Sequence, residues 1–378
     1  MGLTSKATAL LRPALERNPR LLEAARGARD AGGVLHHLVA EAFPFVIRPR
    51  PKQLTVAVTA QCNLRCDGCR YGRDFMVGER LPTDVLLGVI EDAAAAGLES
   101  LRLYGGEPLL HPDIGTLIRA GFDAGLETYL TSNAVLLEQK LDEVLGAGLR
   151  WMTMGFYGVG EEYDAYTGRP GSFERLERSL AAVRERCGEA FEIQLNYVVT
   201  SHSCTVERFE RTKEFCDRFG LHVYVDLVSY SIPFFRKGEK YELHFGPADR
   251  ERVEAVAGRL LEWKQAEPNR FSQSETFLRS VPDLLLEGEA MKVPCDAYQL
   301  LWLGANGDVQ LCDVAFPLGN VHERPLREIL FTDAHRRASR DGFKLNCPNC
   351  TCKLDSRIRK HAASRLRYRS GAPRATRG

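Results

Sequence analysis

From about residue 53 to residue 230 the chain alternates two hydrophobic patterns. Short runs rich in apolar and β-branched residues occupy 54–60, 100–104, 127–131, 150–156, 191–200 and 222–229. Between them, apolar positions recur every three to four residues near 84–97, 114–125, 136–147, 173–187 and 205–219. The first pattern predicts buried strands and the second amphipathic helices. Strands that alternate with helices make βα units around a parallel sheet, so the expected fold class is α/β. Six units are fewer than the eight of a full (βα)8 barrel.

The flanks read differently. Residues 1–51 form a helical extension in which Leu10, Leu11, Leu15, Leu21, Leu22, Ala25, Val34, Leu35, Leu38 and Val39 keep a helical period, with Gly32-Gly33 as the expected break and Pro44–Pro51 as a linker. The barrel-like unit spans 52–232. A helical bridge over 233–290 contains the patterns Glu251–Lys264 and Thr276–Leu286, and a cysteine-rich module follows over 291–352. The tail, 353–378, holds nine Lys or Arg against the single acid Asp355, and predicts a short solvated helix followed by disorder.

Composition narrows the class. The hydrophobic fraction of 44% and charged fraction of 27% are ordinary for a globular chain. A net charge of +1 gives no field that draws it to nucleic acid or membrane. The basic tail has only Tyr368 as a stacking residue among its arginines. No apolar stretch reaches membrane-spanning length and no signal-peptide core opens the chain, so the expected location is the cytoplasm. Thiols stay reduced there, and eleven cysteines are then poor disulfide candidates. Eight of them fall into two groups, Cys62/Cys66/Cys69 and Cys295/Cys312/Cys347/Cys350/Cys352. Clustering of this kind in a reducing compartment points to metal.

The first group, Cys62-Asn63-Leu64-Arg65-Cys66-Asp67-Gly68-Cys69, directly follows the run Leu54–Thr59. A cubane iron–sulfur cluster normally takes four thiolates. Three leave one iron open to a small molecule, as a catalytic zinc keeps an open position. A structural zinc completed by a distant residue is the alternative, although C-x3-C-x2-C does not fit the C-x2-C pairing of zinc folds. Gly105-Gly106-Glu107-Pro108 ends the second strand-like run, with glycines that permit close backbone approach and a carboxylate beside them. Thr131-Ser132-Asn133 ends the third, either as ligand-binding polar groups or as an Asx turn.

With these motifs in these places the chain resembles the radical S-adenosylmethionine (radical SAM) enzymes, whose hallmark is C-x3-C-x2-C on the loop after the first barrel strand. The resemblance implies a partial, TIM-like (βα)6 barrel and a 4Fe-4S cluster on Cys62, Cys66 and Cys69 that binds S-adenosylmethionine. It implies that Gly105, Gly106 and Glu107 receive the amino group of that cofactor, that Ser132 and Asn133 bond its ribose or carboxylate, and that Asn196 approaches its adenosine. The segment Tyr163–Phe173 resembles one typical of the peptide- and metabolite-modifying branch. Gly68, Gly155 and Thr167 depart from the family pattern, which has an aromatic residue, a serine and an arginine there.

The second group reads Cys295-x11-Gly307-x4-Cys312, then Cys347-x2-Cys350-x-Cys352, with a hairpin expected at Trp302–Val309 around Asn306-Gly307. Together with Gly319-Asn320-Val321 it resembles the SPASM/Twitch extension of that family. Five thiols suit one auxiliary 4Fe-4S cluster with one to spare, and the spare is either Cys350 or Cys352. A four-cysteine zinc site is the alternative. Cys187 and Cys216 read as packing residues, and Cys204 either as a surface-loop thiol or as a hydrogen-atom donor to a substrate radical. The implied activity is reductive cleavage of S-adenosylmethionine to a 5′-deoxyadenosyl radical that abstracts a hydrogen atom, with a flavodoxin- or ferredoxin-type electron donor. The expected substrate is a small-molecule metabolite or natural-product precursor, because the N-terminal segment lacks the strand-rich look of a leader-peptide-binding domain. A ribosomally made peptide is the second reading, and a non-catalytic iron–sulfur or zinc scaffold the third.

Overall fold

The computed structural model describes residues 19–228, 231 and 243–370. In chain order, helix α1 (Pro19–Ala42) leads to β1 (Gln53–Thr59), α2 (Thr83–Ala95), β2 (Ser100–Gly105), α3 (Ile114–Asp123), β3 (Glu127–Ser132), α4 (Leu137–Gly146) and β4 (Trp151–Phe156). Then come α5 (Glu161–Thr167), α6 (Ser172–Cys187), β5 (Glu192–Val199), α7 (Val206–Arg218) and β6 (His222–Leu227). The six strands run parallel, each beside the next, as the alternation of patterns predicts. Side chains alternate across each strand. Val56, Leu101, Leu103, Leu130, Met152, Leu195 and Val223 are buried against the helices. The alternate positions, among them Thr55, Arg102, Tyr104, Tyr129, Thr131, Asn196, Tyr224 and Asp226, are half-buried and face the inside of the open barrel. The interior is therefore polar while the outer layer forms the apolar core.

After α8 (Arg250–Ala266) and α9 (Glu275–Glu287) the chain returns to the sheet. Strand β7 (Leu300–Leu303) pairs in parallel with β1, from Gln53↔Leu300 to Val56↔Leu303. The Asn306-Gly307 turn then sends β8 (Asp308–Gln310) back antiparallel, followed by β9 (Pro317–Asn320). The sheet order is β6-β5-β4-β3-β2-β1-β7-β8-β9, so the cysteine-rich segment continues the barrel's own sheet past β1. Four further helices close the described chain: α10 (Leu326–Ile329), α11 (Asp333–Phe343), α12 (Leu354–Lys360) and α13 (Ala362–Arg367).

Three expectations are corrected. Gly32-Gly33 does not break the first helix, since α1 runs through both. A Cβ at Gly33 would lie 3.0 Å from Cγ of Lys360, so the missing side chain lets α12 pack against α1. Pro44–Pro51 is docked: Ile47 is fully buried and Arg50 N donates to Tyr298 O at 2.9 Å. The start of the tail is not solvated: Leu354, Arg357 and Ile358 are buried, whereas from Arg365 to Ser370 every residue but Tyr368 is exposed. Leu10, Leu11 and Leu15, residues 229–230 and 232–242, and the last eight residues lie outside the described residues.

The tail packs because of Arg357, which is 0% exposed. Its guanidinium donates to the carbonyls of Val293 (2.5 Å), Pro294 (3.3 Å), Cys350 (2.9 Å) and Cys352 (3.3 Å), and to Asn349 Oδ1 at 3.2 Å. One cation thus gathers the two backbone segments that carry Cys295 and Cys347–Cys352. Nearby, Asp296 binds His37 Nε2 of α1 at 2.9 Å and Lys360 Nζ at 2.6 Å. Burial opposes the charge on Asp296, but these partners outweigh it and hold its carboxyl well below the usual range.

Arg357→Met strands buried carbonyls and should lower the unfolding free energy by about 3–5 kcal/mol. Arg359→Met, which loses only the half-exposed partners Asp30 and Asp355, should cost less than about 1 kcal/mol. Denaturant midpoints of the two variants check the contrast. Equal shifts would deny Arg357 this role.

Candidate functional site

The cysteine loop leaves the C-terminal end of β1, and neighbouring segments grip its backbone. Arg65 N donates to Thr167 O (2.9 Å), Asp67 N to Tyr166 O (2.7 Å), and Arg169 Nη1 to Asn63 O (2.7 Å). The segment Tyr163–Phe173 is therefore the cradle of the loop. Asp164 shapes that cradle by accepting from Gly171 N, Ser172 Oγ and Phe173 N at 2.6–2.9 Å. Thr167 is buried and bonds Tyr163 O and Ser172 Oγ, each at 2.8 Å, so this departure from the family pattern serves the cradle. From within the loop, Arg73 donates to the carbonyls of Cys66 and Cys69. On the far side a small apolar cluster of Ala57, Ala60, Tyr71, Trp302 and Ala305 packs against Cys69 and ties the loop to the hairpin of β7 and β8.

The three thiols act on one another's charge. Burial first, then Glu107 and Cys69, push Cys62 up to about 12 against its hydrogen bond from Leu64 N. Burial, Cys69 and Cys62 raise Cys66, and burial raises Cys69. Among the described residues no three His, Cys, Asp or Glu converge closely enough to hold a single metal ion. Asn63 Nδ2, inside the same loop, is buried without a hydrogen-bond partner among the described residues, leaving a donor for a bound group.

The Gly105-Gly106-Glu107 element meets this loop directly. A Cβ at Gly105 would lie 2.3 Å from Thr59 O, and one at Gly106 2.3 Å from Gln61 O. Only glycines let the end of β2 lie against the root of the loop, where Gly106 N donates to Thr59 O and Glu107 N to Gln61 O, both at 2.8 Å. Glu107 itself is 0% exposed. Its carboxylate accepts from Leu109 N (3.0 Å), Ser132 Oγ (2.8 Å) and Asn133 N (2.8 Å). Burial outweighs these donors and lifts its pKa to about 7. The carboxylate thereby joins β2 to β3.

At Ser132-Asn133 the structure shows the Asx turn of the sequence-level reading. Asn133 Oδ1 accepts from Val135 N at 3.0 Å, an Asx turn, while its Nδ2 donates to Asn63 Oδ1 at 2.8 Å and reaches Cys62 Sγ at 4.0 Å. Asn196 lies on β5, accepts from Gln194 Nε2 at 2.9 Å, and pairs with Gly155 near the C-terminal end of β4. Cys204 is fully buried in the core and Cys216 likewise. A surface groove of about 760 Å³ bordered by Arg150, Arg186 and Phe191 sits at the opposite, N-terminal ends of β4 and β5.

The second cysteine group gathers around Cys295, whose charge acts on Cys312, Cys350 and Cys352 and is itself acted on by Cys347. Cys350 is flanked by Cys352 and Cys295, whereas Cys352 also acts on Arg102, Tyr129 and Tyr224 of the barrel interior. Sequence reasoning marked the segment that carries Asp164 and Arg169 without a role for either, and missed Arg73, which also holds the first loop, and Arg102, Asp226 and Asp313 inside the barrel. Alternation along β2 and β6 marks Arg102 and Asp226 as inward, the one signal available for them.

Residues 56–216 match the Radical SAM superfamily, and residues 295–352 match an iron–sulfur cluster-binding domain. The AdoMet-dependent heme synthase of Methanosarcina barkeri is 30% identical over 335 residues, covering 83% of this chain and 93% of that protein. Native anSMEcpe with bound AdoMet superposes with a TM-score of 0.61 at 17% identity, over 84% of this chain and 90% of that one. Streptococcus suis SuiB bound to precursor peptide SuiA gives 0.60 at 16% identity, over 96% and 86%. At these identities the structural likeness shows the fold, a partial barrel with a C-terminal cysteine-rich module.

Glu107 keeps its proton in the folded chain up to about pH 7 and in the unfolded chain only up to about 4.5, so between these values the folded state binds more protons. Its contribution to stability is full below pH 4.5 and is lost as pH rises through 7. The stability of wild type relative to Glu107→Gln should therefore fall by about 3 kcal/mol across that window. Denaturant unfolding of both proteins at several pH values measures it, and a flat difference would contradict the buried strut.

Proposed function

The chain belongs to the radical SAM superfamily and carries an iron–sulfur cluster-binding domain, and on that footing we propose that Cys62, Cys66 and Cys69 hold the 4Fe-4S cluster that binds S-adenosylmethionine. When bound, the cluster supplies the electron that cleaves S-adenosylmethionine to methionine and a 5′-deoxyadenosyl radical, which takes a hydrogen atom from a substrate carbon. The observation that carries this reading is the gripped three-thiol loop at the end of β1, opening onto a polar interior.

The protein's part is orientation and exclusion of water. Gly105 and Gly106 bring backbone against the loop, and Asn133 aims its amide at Asn63 and Cys62. Glu107 and Ser132 position that rim, and Asn196 lines the interior where an adenosine would point. Tyr157, stacked on Tyr166 at 4.0 Å and close to Cys66, shields the inner side of the loop. Cys295, Cys312 and Cys347, with Cys350 or Cys352, hold an auxiliary 4Fe-4S cluster. A flavodoxin- or ferredoxin-type protein delivers the electron.

The substrate is a small molecule, oxidised, dehydrated or rearranged. Two points support this. The described residues before β1 form α1 and a docked strap with no strand among them, and a relative that aligns over 83% of this chain is a heme synthase. A ribosomal peptide is the second reading, favoured by the likeness to SuiB with its bound precursor peptide.

Anaerobically reconstituted protein should hold about eight irons. The triple variant Cys62→Ala, Cys66→Ala, Cys69→Ala should lose half of them and form no 5′-deoxyadenosine with dithionite. Continued cleavage by that variant would refute the assignment.

Cys295→Ala combined with Cys312→Ala should likewise remove about four irons. Zinc instead of iron at these thiols, after purification without oxygen, would make the module structural.

A further inference from the structure

The barrel interior holds a cation that neither cysteine group uses. Arg102 stands on β2, level with Thr55 of β1 and Tyr129 of β3. Its Nε donates to Thr131 Oγ1 at 2.8 Å, and Thr131 is held in turn by Thr153 Oγ1 at 2.8 Å. The guanidinium carbon lies 5.0 Å from the centroid of the Tyr104 ring. These contacts fix the plane of the group. Its two terminal amines make no hydrogen bond, and Arg102 no ion pair within 4.0 Å, among the described residues.

A half-buried cation of this kind is expensive to leave unpaired. Asp226 on β6 and Asp313 beside Cys312 act on the charge of Arg102, yet neither closes a pair with it. Tyr104, under the guanidinium, feels the charges of Cys69 and Asp313, and Arg102 itself feels Cys352. Arg102 therefore lies within electrostatic reach of members of both cysteine groups, in the interior where a substrate has to sit. A rigid planar fork with free donors matches a carboxylate bidentately. A dianion such as phosphate would be repelled more strongly by Asp226 and Asp313 than a monoanionic carboxylate end.

We propose that Arg102 anchors a carboxylate of the substrate, so that the substrate class is a carboxylic acid held by its acid group in the barrel interior. The proposal deepens the radical SAM reading of this site and rests on it. Anaerobic holoenzyme with saturating S-adenosylmethionine is treated with phenylglyoxal, and modification of Arg102 is followed by peptide mass spectrometry. Glutarate at ten times its dissociation constant should slow modification of Arg102 about tenfold. Neutral glutaramide should not, and exposed Arg186 should react equally under all conditions. Equal protection by glutarate and glutaramide, protection by inorganic phosphate but not glutarate, or an Arg102 that does not react in the free holoenzyme would each overturn it. So would complete protection by S-adenosylmethionine alone, which would make the cofactor's own carboxylate the anion. Formation of 5′-deoxyadenosine by the same preparation reports separately on the parent reading.

Discussion

At the end of β2 the buried carboxylate of Glu107 accepts Ser132 Oγ and Asn133 N from β3 and Leu109 N from its own turn, while its own amide donates to Gln61 O of the cysteine loop. Three strand ends are joined at one point. Parallel strands contribute no hairpins, so the rim of such a sheet has no covalent short cut between neighbours and must be held by contacts of this kind. The glycines before Glu107 are the sterically necessary partner of the strut, because any side chain there would drive the loop off β2. The position of Asn133 beside Cys62 follows from the same joint.

The second constraint is the pairing of β7 with β1. It places the C-terminal cysteines beside the barrel's first strand, and Trp302 and Ala305 then pack on the very loop that carries Cys69. Arg357 and Asp296 complete the arrangement from the C-terminal and N-terminal sides. Each is a charge taken out of water, which costs more than its partners return unless every donor and acceptor is met. Here they are met by backbone carbonyls and by α1. The interior between the two cysteine groups is thus bounded by contacts distant in the chain, and it is polar because the inward positions of the strands are.

Much of this was legible in the residues. Each βα unit shows its own period, and the six strands and their helices lie within about two residues of where those periods place them. The Asn306-Gly307 turn announces the β7–β8 hairpin by local backbone preference. The cysteine spacing carries the family, since three thiols in eight residues is a local property of one loop. The Gly32-Gly33 break was misread because helix propensity penalises glycine, while the gain from packing α12 closely on α1 does not appear in the local sequence.

The sequence by itself determined the alternation of strands and helices, the two thiol groups and the turn chemistry, because each is set within a few residues by periodicity or backbone sterics. Tertiary structure decided that Glu107 points into the protein, that Arg357 is a buried hub in a stretch that reads as a solvated tail, that β7 lies beside β1, and that Arg102 stands in the barrel interior with terminal amines unpaired among the described residues. Each of these depends on at least one partner 25 to about 250 residues away. Charge and hydrogen-bond satisfaction are properties of an environment, and only the folded chain creates one.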